Sequence, residues 1–382
     1  MSEPLWLLPE YVEDMLPPYV AAFERLRSRL LALFDGYGFD LVQPPLIEYI
    51  ESLNGGNGRE LDLKTFKVMD ALSGRQLGVR ADITPQAARI DAHLINREGV
   101  LRLCYAGPVL HARSDHMANR REPYQVGAEL FGYAGIEADR EVLDLLLAAF
   151  RVAGVEARIS LGHVGLFRAL VRAAGAEAIE AELFIALRHK DVPELTQLCA
   201  ALSPEYARAL CGLTDLYGGA EVLTQARAVL PDLPGVTHAL VDLDRLAAAV
   251  PGIGIDLADL RGYGYHNGVV FAGYVGGQAQ AVALGGRYDG AGSRFGRNRP
   301  ATGFSLDLRC LLEVLPLPEE PGGILAPADG DAALAVKVAE LRAAGERVVA
   351  EFQGQADYRH ESGCDRLLTR SGDGAWRIES IV

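Results

Sequence analysis

The chain has 382 residues, a length that predicts two or three folding units, and its 49% apolar and 23% charged content is that of a compact soluble protein. A formal net charge of −14 opposes general binding to a phosphate backbone; five scattered cysteines without a CxxC pair give no zinc pattern and suit a reducing, cytoplasmic setting. The acidic start MSEPLWLLPEYVEDM lacks the regions of a secretion signal, and no run approaches about 18 uninterrupted apolar residues, so no membrane contact is expected.

In chain order, Pro17 and Pro18 open a predicted helix whose buried stripe is Phe23, Leu26, Leu30, Leu33 and Phe34, ending near Gly36 to Gly38. FDLVQPPLIEY reads as a strand running into the stop at Pro44 and Pro45, and NGGNGRELD as a loop. Short strands are predicted through Phe66 to Met69 and Gln76 to Val79. In VRADITPQAARIDAHL a strand ends and Pro85 starts a helix with Thr84 as its cap; Asp82 is free to pair with Arg80.

The stretch from Leu101 to Gly132 reads as strand, long loop from Arg113 to Arg121, and antiparallel strand. Alternation on the second strand puts Gln125, Gly127 and Glu129 on one face and Tyr124, Val126, Ala128 and Leu130 on the other. A face carrying an amide, a bare backbone and a carboxylate is either the floor of a small-ligand pocket or a solvated sheet surface, and the hairpin alone leaves both open. IEADREVLDLLLAAFRVAG is an amphipathic helix, followed by a strand over Val155 to Leu161. Residues 174–251 are rich in Ala and Leu with helical periodicity and form a predicted helical insertion.

Sheet pattern returns in LRGYGYHNGVVFAGYV, where Arg261, Tyr263, Tyr265 and Asn267 are expected on one strand face, and in QAQAVALGGRYD. A Gly and Arg-rich connection is expected to enter a helix near Ser305, with Asp307 as a capping or surface carboxylate. His163 reads as a structural histidine, and His93, His111 and His116 lack ligand spacing, so no metal is predicted. After the linker PLPEEPGG, residues 319–382 read as a small strand, helix, strand and hairpin unit, the last turning at Asp373 and Gly374.

PEYVEDMLPP, TFKVMDALSGRQLGVRADITPQAARIDAH, RLCYAGPVL, REPYQVGAELFGYAGIEAD, LGHVG, LRGYGYHNGVVFAGYV, GGRYD and RPATGFSLDL follow one another in family order. Together they resemble the catalytic core of class II histidyl-tRNA synthetase, and more closely its paralogues, the regulatory subunits of ATP phosphoribosyltransferase. The resemblance implies an α+β fold: a class II synthetase-like antiparallel sheet flanked by helices in 1–173 and 252–318, the helical insertion in 174–251, and a small αβ remnant in 319–382. It implies a non-catalytic subunit that joins the short catalytic subunit in the first step of histidine biosynthesis, conveys inhibition by free histidine, contains a homodimer of the core, and uses no cofactor and no tRNA. The alternative it leaves is a true histidyl-tRNA synthetase.

Carried over residue by residue, the family's amino-acid site falls on Asp82 and Thr84 for the α-amino group, Gln125, Glu129 for the imidazole, Arg261 for the carboxylate, and Tyr265, with Tyr105 lining the pocket. The two arginines that the synthetase uses around ATP fall on His111 and Cys310, neither of which can make a bidentate guanidinium contact. Whether neighbouring Arg113 or Arg309 substitutes for them is open at the level of sequence.

Overall fold

The structure is a computed structural model that describes residues 6–53, 58–113, 120–250, 252–317, 322–354 and 356–381. The chain divides into two compact units, Met1–Pro316 and Leu317–Val382.

The first unit is built on a nine-stranded sheet. In chain order the strands of this unit are β1 (Asp40–Leu41), β2 (Ile47–Tyr49), β3 (Phe66–Met69), β4 (Gln76–Val79), β5 (Leu101–Pro108), β6 (Tyr124–Phe131), β7 (Ala157–His163), β8 (Tyr217–Gly218), β9 (Gly254–Asp256), β10 (Val269–Val275), β11 (Ala283–Arg287) and β12 (Ala301–Asp307). The large sheet runs β1-β5-β6-β12-β11-β10-β7-β9-β8, antiparallel from β5 through β7, while β2, β4 and β3 form a separate three-stranded sheet.

Alternation along the central strands sorts the two faces. Val126, Ala128 and Leu130 of β6, with Cys104 of β5 and Phe304 and Leu306 of β12, join the main apolar core. The helices Tyr19–Gly36, Ile136–Ala153 and Val164–Ala173 bury their stripes in that core; in the first, Phe23, Leu26, Leu30 and Phe34 are buried at helical spacing. The opposite side of β5 and β6 carries Leu101, Leu103, Tyr105 and Phe131 into a second cluster with Ile83, Ala87 and Tyr288. At ~25 cal/mol per Å² of apolar area, two such clusters on the two faces of one sheet fix its register, because a one-residue slip would exchange the faces.

Residues 174–250 fold as the helices Glu180–Arg188, Val192–Leu198, Pro204–Gly212, Glu221–Val229 and Pro234–Ala249, with β8 among them. Leu183, Leu210, Leu223 and Leu243 belong to the main core, so this stretch shares its apolar interior with the sheet.

Five local expectations are corrected. The stretch NGGNGRELD, expected as a loop, runs into a helix over Gly58–Lys64. Residues Arg261 to Asn267 are turns: Gly262 has φ +64°, its carbonyl accepts from the N–H groups of Tyr265 and His266, and the strand begins only at Val269. Arg261 and Tyr265 therefore do not share a strand face. Ser305 lies in strand β12, whose pairing with β6 and β11 on both sides overrides its glycine-rich lead-in; the helix starts at Leu308. The strand read at Val155 to Leu161 is shifted to Ala157–His163. Thr84 is the first residue of its helix and makes no cap; its hydroxyl points to the carboxylate described below.

The second unit pairs β13 (Gly323–Ala326) in parallel with β14 (Val348–Ala350) and with β15 (Cys364–Arg370), which forms a hairpin with β16 (Trp376–Ser380). The helix Ala332–Ala343, capped by Asp331, packs over a small core of Ile324, Ala326, Leu334, Val348 and Leu368.

Candidate functional site

Glu129 sits in the middle of β6, opposite Leu103 of β5 and Gly303 of β12. Its side chain is 1% exposed, which rules out the solvated-face reading. A buried carboxylate needs partners, and three hydroxyls supply them. Thr84 Oγ1 donates to Oε1 at 2.8 Å, Tyr105 OH donates to the same oxygen at 2.9 Å, and Tyr288 OH donates to Oε2. Thr84 Oγ1 and Tyr105 OH are themselves 3.1 Å apart, so the donors form a linked set.

Two glycines make this packing possible. A Cβ on Gly303 would lie 1.7 Å from Glu129 Oε2, and one on Gly127 would lie 2.5 Å from Tyr105 OH. The space that Gly127 leaves on the sheet is thus taken by the Tyr105 phenol. Tyr288 follows β11 in the GGRYD phrase and stacks on Tyr265 with ring centroids 4.7 Å apart and 22° between planes. Both Tyr288 and Gly303 escaped the sequence reading, which took GGRYD and its sequel as a connection; the alternation of Gly286 and Tyr288 beyond a strand was the available signal.

Burial pushes the Glu129 carboxyl up to about 8, with the Asp82 carboxylate pushing the same way, while the bonds from Tyr288, Thr84 and Tyr105 oppose the shift. Burial, and then the negative charge of Glu129, hold the Tyr105, Tyr265 and Tyr288 phenols well above their ordinary value, so all three remain protonated donors. The Tyr265 hydroxyl is buried beside that of Tyr288. Beside it, burial depresses the His266 imidazole to about 4, so this ring is neutral.

The remaining predicted residues surround this cluster unevenly. Asp82 Oδ1 accepts from the Thr84 N–H at 3.2 Å, and Gln125 Oε1 accepts from the Ile83 N–H at 3.0 Å. Arg80 is not the partner of Asp82: its guanidinium donates to the carbonyls of Pro108 and Pro44, both at 2.8 Å. Asp82, Thr84, Tyr105, Gln125, Glu129 and Tyr265 are thus brought to one side of the sheet. Arg261 stands apart, with Nε 3.0 Å from Asp259 Oδ1 and Nη2 donating to Tyr274 OH; no hydrogen bond joins it to the Glu129 cluster.

Gln125 also lines a trench of about 630 Å³ with His111, Asp307, Cys310 and Glu313. His111 Nε2 is 3.0 Å from the Ala81 carbonyl. Asp307 caps the Leu308–Glu313 helix by accepting from the Arg309 N–H at 3.0 Å, and the Cys310 thiol donates to its other oxygen at 3.2 Å. Arg309 is buried away from the trench, donating to the carbonyls of Glu122 at 3.2 Å and Glu13 at 3.3 Å, with Glu13 Oε1 at 3.4 Å. Arg120, which does line the trench, is held between the carboxylates of Glu13 and Glu313. Arg113 is exposed, and residues 114–119 of the loop expected to close over the pocket lie outside the described residues. His163 ends β7 with Nε2 3.8 Å from Asp242, a structural position. Among the described residues no group of three His, Cys, Asp or Glu side chains is placed to hold a metal ion, and no helix is long and apolar enough to cross a membrane.

Comparison with known proteins adds a consistent picture. The family model described as histidyl-tRNA synthetase matches residues 11–311, and that of the ATP phosphoribosyltransferase subunit HisZ C-terminal domain matches residues 321–379. An ATP phosphoribosyltransferase regulatory subunit from Ralstonia nicotianae is 53% identical over 380 residues, covering 98% of each chain. One from Azoarcus sp. is 52% identical over 380 residues, covering 98% of this chain and 99% of that one. The crystal structure of an ATP phosphoribosyltransferase regulatory subunit/histidyl-tRNA synthetase from Bacillus halodurans superposes with a TM-score of 0.84 at 30% identity, over 95% of this chain and 97% of that one. Histidyl-tRNA synthetase from Nostoc sp. superposes with a TM-score of 0.79 at 17% identity over 98% and 97% of the two chains, a likeness of fold alone.

Proposed function

Because this chain belongs to the family of ATP phosphoribosyltransferase regulatory subunits, built on the class II histidyl-tRNA synthetase fold, we propose how its sheet face serves that role. The chain is a non-catalytic regulatory subunit acting with a catalytic partner in the first step of histidine biosynthesis. The partner is the short catalytic subunit, a glycosyltransferase of the cytosol, and the regulatory core is a homodimer within the hetero-oligomer. Free histidine is the inhibitory ligand, and tRNA is not bound.

The observation that supports this reading is a buried carboxylate ringed by three hydroxyl donors beside a trench whose Arg120 is held by two carboxylates. Glu129, as a carboxylate facing the bound imidazolium, accepts the imidazole N–H of histidine with the one Oε2 lone pair that its three hydroxyl donors leave free. Asp82 and the second lone pair of Gln125 Oε1 receive the α-ammonium, Thr84, Tyr105 and Tyr265 fix the walls, and Arg261 neutralises the carboxylate by exchanging its contacts with Asp259 and Tyr274 for the ligand. Such charge-assisted contacts in a desolvated site are compatible with micromolar affinity, about 8 kcal/mol. Adenylate formation, in contrast, needs cations on the transferring phosphate. Here His111 and Cys310 occupy the two arginine positions, Arg309 is committed to Glu13 and Glu122, and Arg120 is neutralised by two carboxylates.

Inhibition requires that histidine bind one quaternary state better than another, by about 1–3 kcal/mol. The test is reconstitution. Adding this chain to the short catalytic subunit should raise the ATP-dependent consumption of phosphoribosyl pyrophosphate, and histidine should suppress the gain. Activity unchanged by the chain would refute the role. The synthetase alternative predicts histidine-dependent pyrophosphate exchange by the chain alone, and none is expected.

A further inference from the structure

A second cavity, of about 520 Å³, lies at the meeting of the turn after the Glu180–Arg188 helix, strand β9, the 259–262 turn and residues 279–284. Its lining carries the cationic side chains of Lys64, Arg188, Lys190 and Arg261 against the carboxylates of Asp256 and Asp259. In a chain with a formal charge of −14, four cations on one concave surface are a local reversal of the overall sign.

The pairing inside the cavity leaves an excess. Lys190 Nζ is 2.9 Å from Asp256 Oδ2, and Arg261 Nε is 3.0 Å from Asp259 Oδ1. Each carboxylate also accepts a backbone N–H, from Ala258 at 3.0 Å and Arg261 at 3.3 Å, so their charges are spoken for. Arg188 makes no hydrogen bond or ion pair among the described residues, and its guanidinium is available. Lys190 adopts φ +51°, a left-handed conformation that costs a lysine about 1 kcal/mol, and this turn directs its ammonium across to β9, over the Tyr217 ring. Ala258, Gly262, Ala279 and Ala281 contribute small residues to the remaining wall, beside the larger Tyr274, Gln280 and Leu284, and the cavity's volume of about 520 Å³ leaves room for a compact ligand.

We propose that this cavity binds a compact phosphate group carrying more than one negative charge, as in a diphosphate or phosphate ester. Planar guanidinium groups at Arg188 and Arg261 match the tetrahedral oxygens of a phosphate, and the Lys190 ammonium supplies a point charge between strand and helix. The site goes beyond the histidine reading and stands without it: it draws on residues of the helical stretch 174–251 that have no place around Glu129, and shares only Arg261 with the histidine site.

Inorganic pyrophosphate is the probe. Isothermal titration of the full chain, with ³¹P NMR line broadening as a second readout, should give a saturable signal that weakens as salt is raised. Arg188→Gln removes an exposed, partner-free side chain, so folding is kept, and should weaken binding by about tenfold, the value of one charge-assisted contact. Lys190→Gln should act in the same direction. Absence of saturable binding would overturn the proposal, as would equal binding by Arg188→Gln, the result expected if Arg188 only complements the helix C-terminus. Glu129→Gln separates the two ligands: it should abolish the histidine signal and keep the pyrophosphate one, whereas loss of both in a folded variant would refute a distinct phosphate site.

Discussion

The protonation of Glu129 gives the most exacting test of the site. Its carboxyl is raised from 4.5 to about 8 in the folded chain, chiefly by burial. Between those values the folded protein holds a proton that the unfolded chain has released, so stability falls as pH rises through this window. At about 1.4 kcal/mol per unit, the loss reaches roughly 3–4 kcal/mol at neutral pH and about 5 kcal/mol above pH ~8, where both states are ionised and the dependence flattens. The stabilising contribution is complete only at low pH, below the unfolded value. Glu129→Gln keeps the shape and removes the titration, at the cost of rearranging the Thr84, Tyr105 and Tyr288 hydroxyls around an amide. Urea denaturation of both proteins from about pH 5 to about pH 9 should therefore show the variant gaining on the parent by roughly 1.4 kcal/mol per unit up to about pH 8, then running parallel to it. A difference independent of pH would mean that Glu129 is ionised throughout, and the buried-acid account of the pocket would fail.

Histidine affinity should follow a bell with limbs near pH ~6.5 and ~8: below it the free ligand must lose a proton, above it Glu129 must regain one, and between them the proton is only shared; titration calorimetry across pH would show this, and a monotonic curve would count against Glu129 as the imidazole acceptor. Gly303→Ala drives a methyl to 1.7 Å from Glu129 Oε2 and should destabilise the first unit by about 1–3 kcal/mol and remove the thermal shift given by histidine. Asp139, fully buried, holds Arg287 through Oδ2 and so ties the Ile136–Ala153 helix to β11; Asp139→Ala should cost about 2–3 kcal/mol in urea denaturation, below the full value for an unpaired buried charge because Arg287 keeps Asp289 and the Tyr133 and Gly135 carbonyls. A cost near zero would show that water reaches Arg287.

Period-two and helical patterns in the chain were sufficient for the Tyr19–Gly36 helix, the β5–β6 hairpin and the alternation that turns Glu129 away from the main core, because each follows from nearest-neighbour geometry along one element. The C-terminal strand, helix, strand and hairpin were legible for the same reason. Tertiary structure alone decided what surrounds Glu129. Gly303 is admitted there only because β12 runs beside β6, and Tyr288 reaches Oε2 from a residue 159 positions away. The Arg261 turn shows the reverse case: its alternating sequence promised a strand, but a left-handed Gly262 bends the chain and carries the guanidinium to Asp259 and Tyr274. Local propensity sets what a segment can do, whereas the partners of a buried charge are fixed by strands and turns distant in sequence, whose packing no single segment encodes.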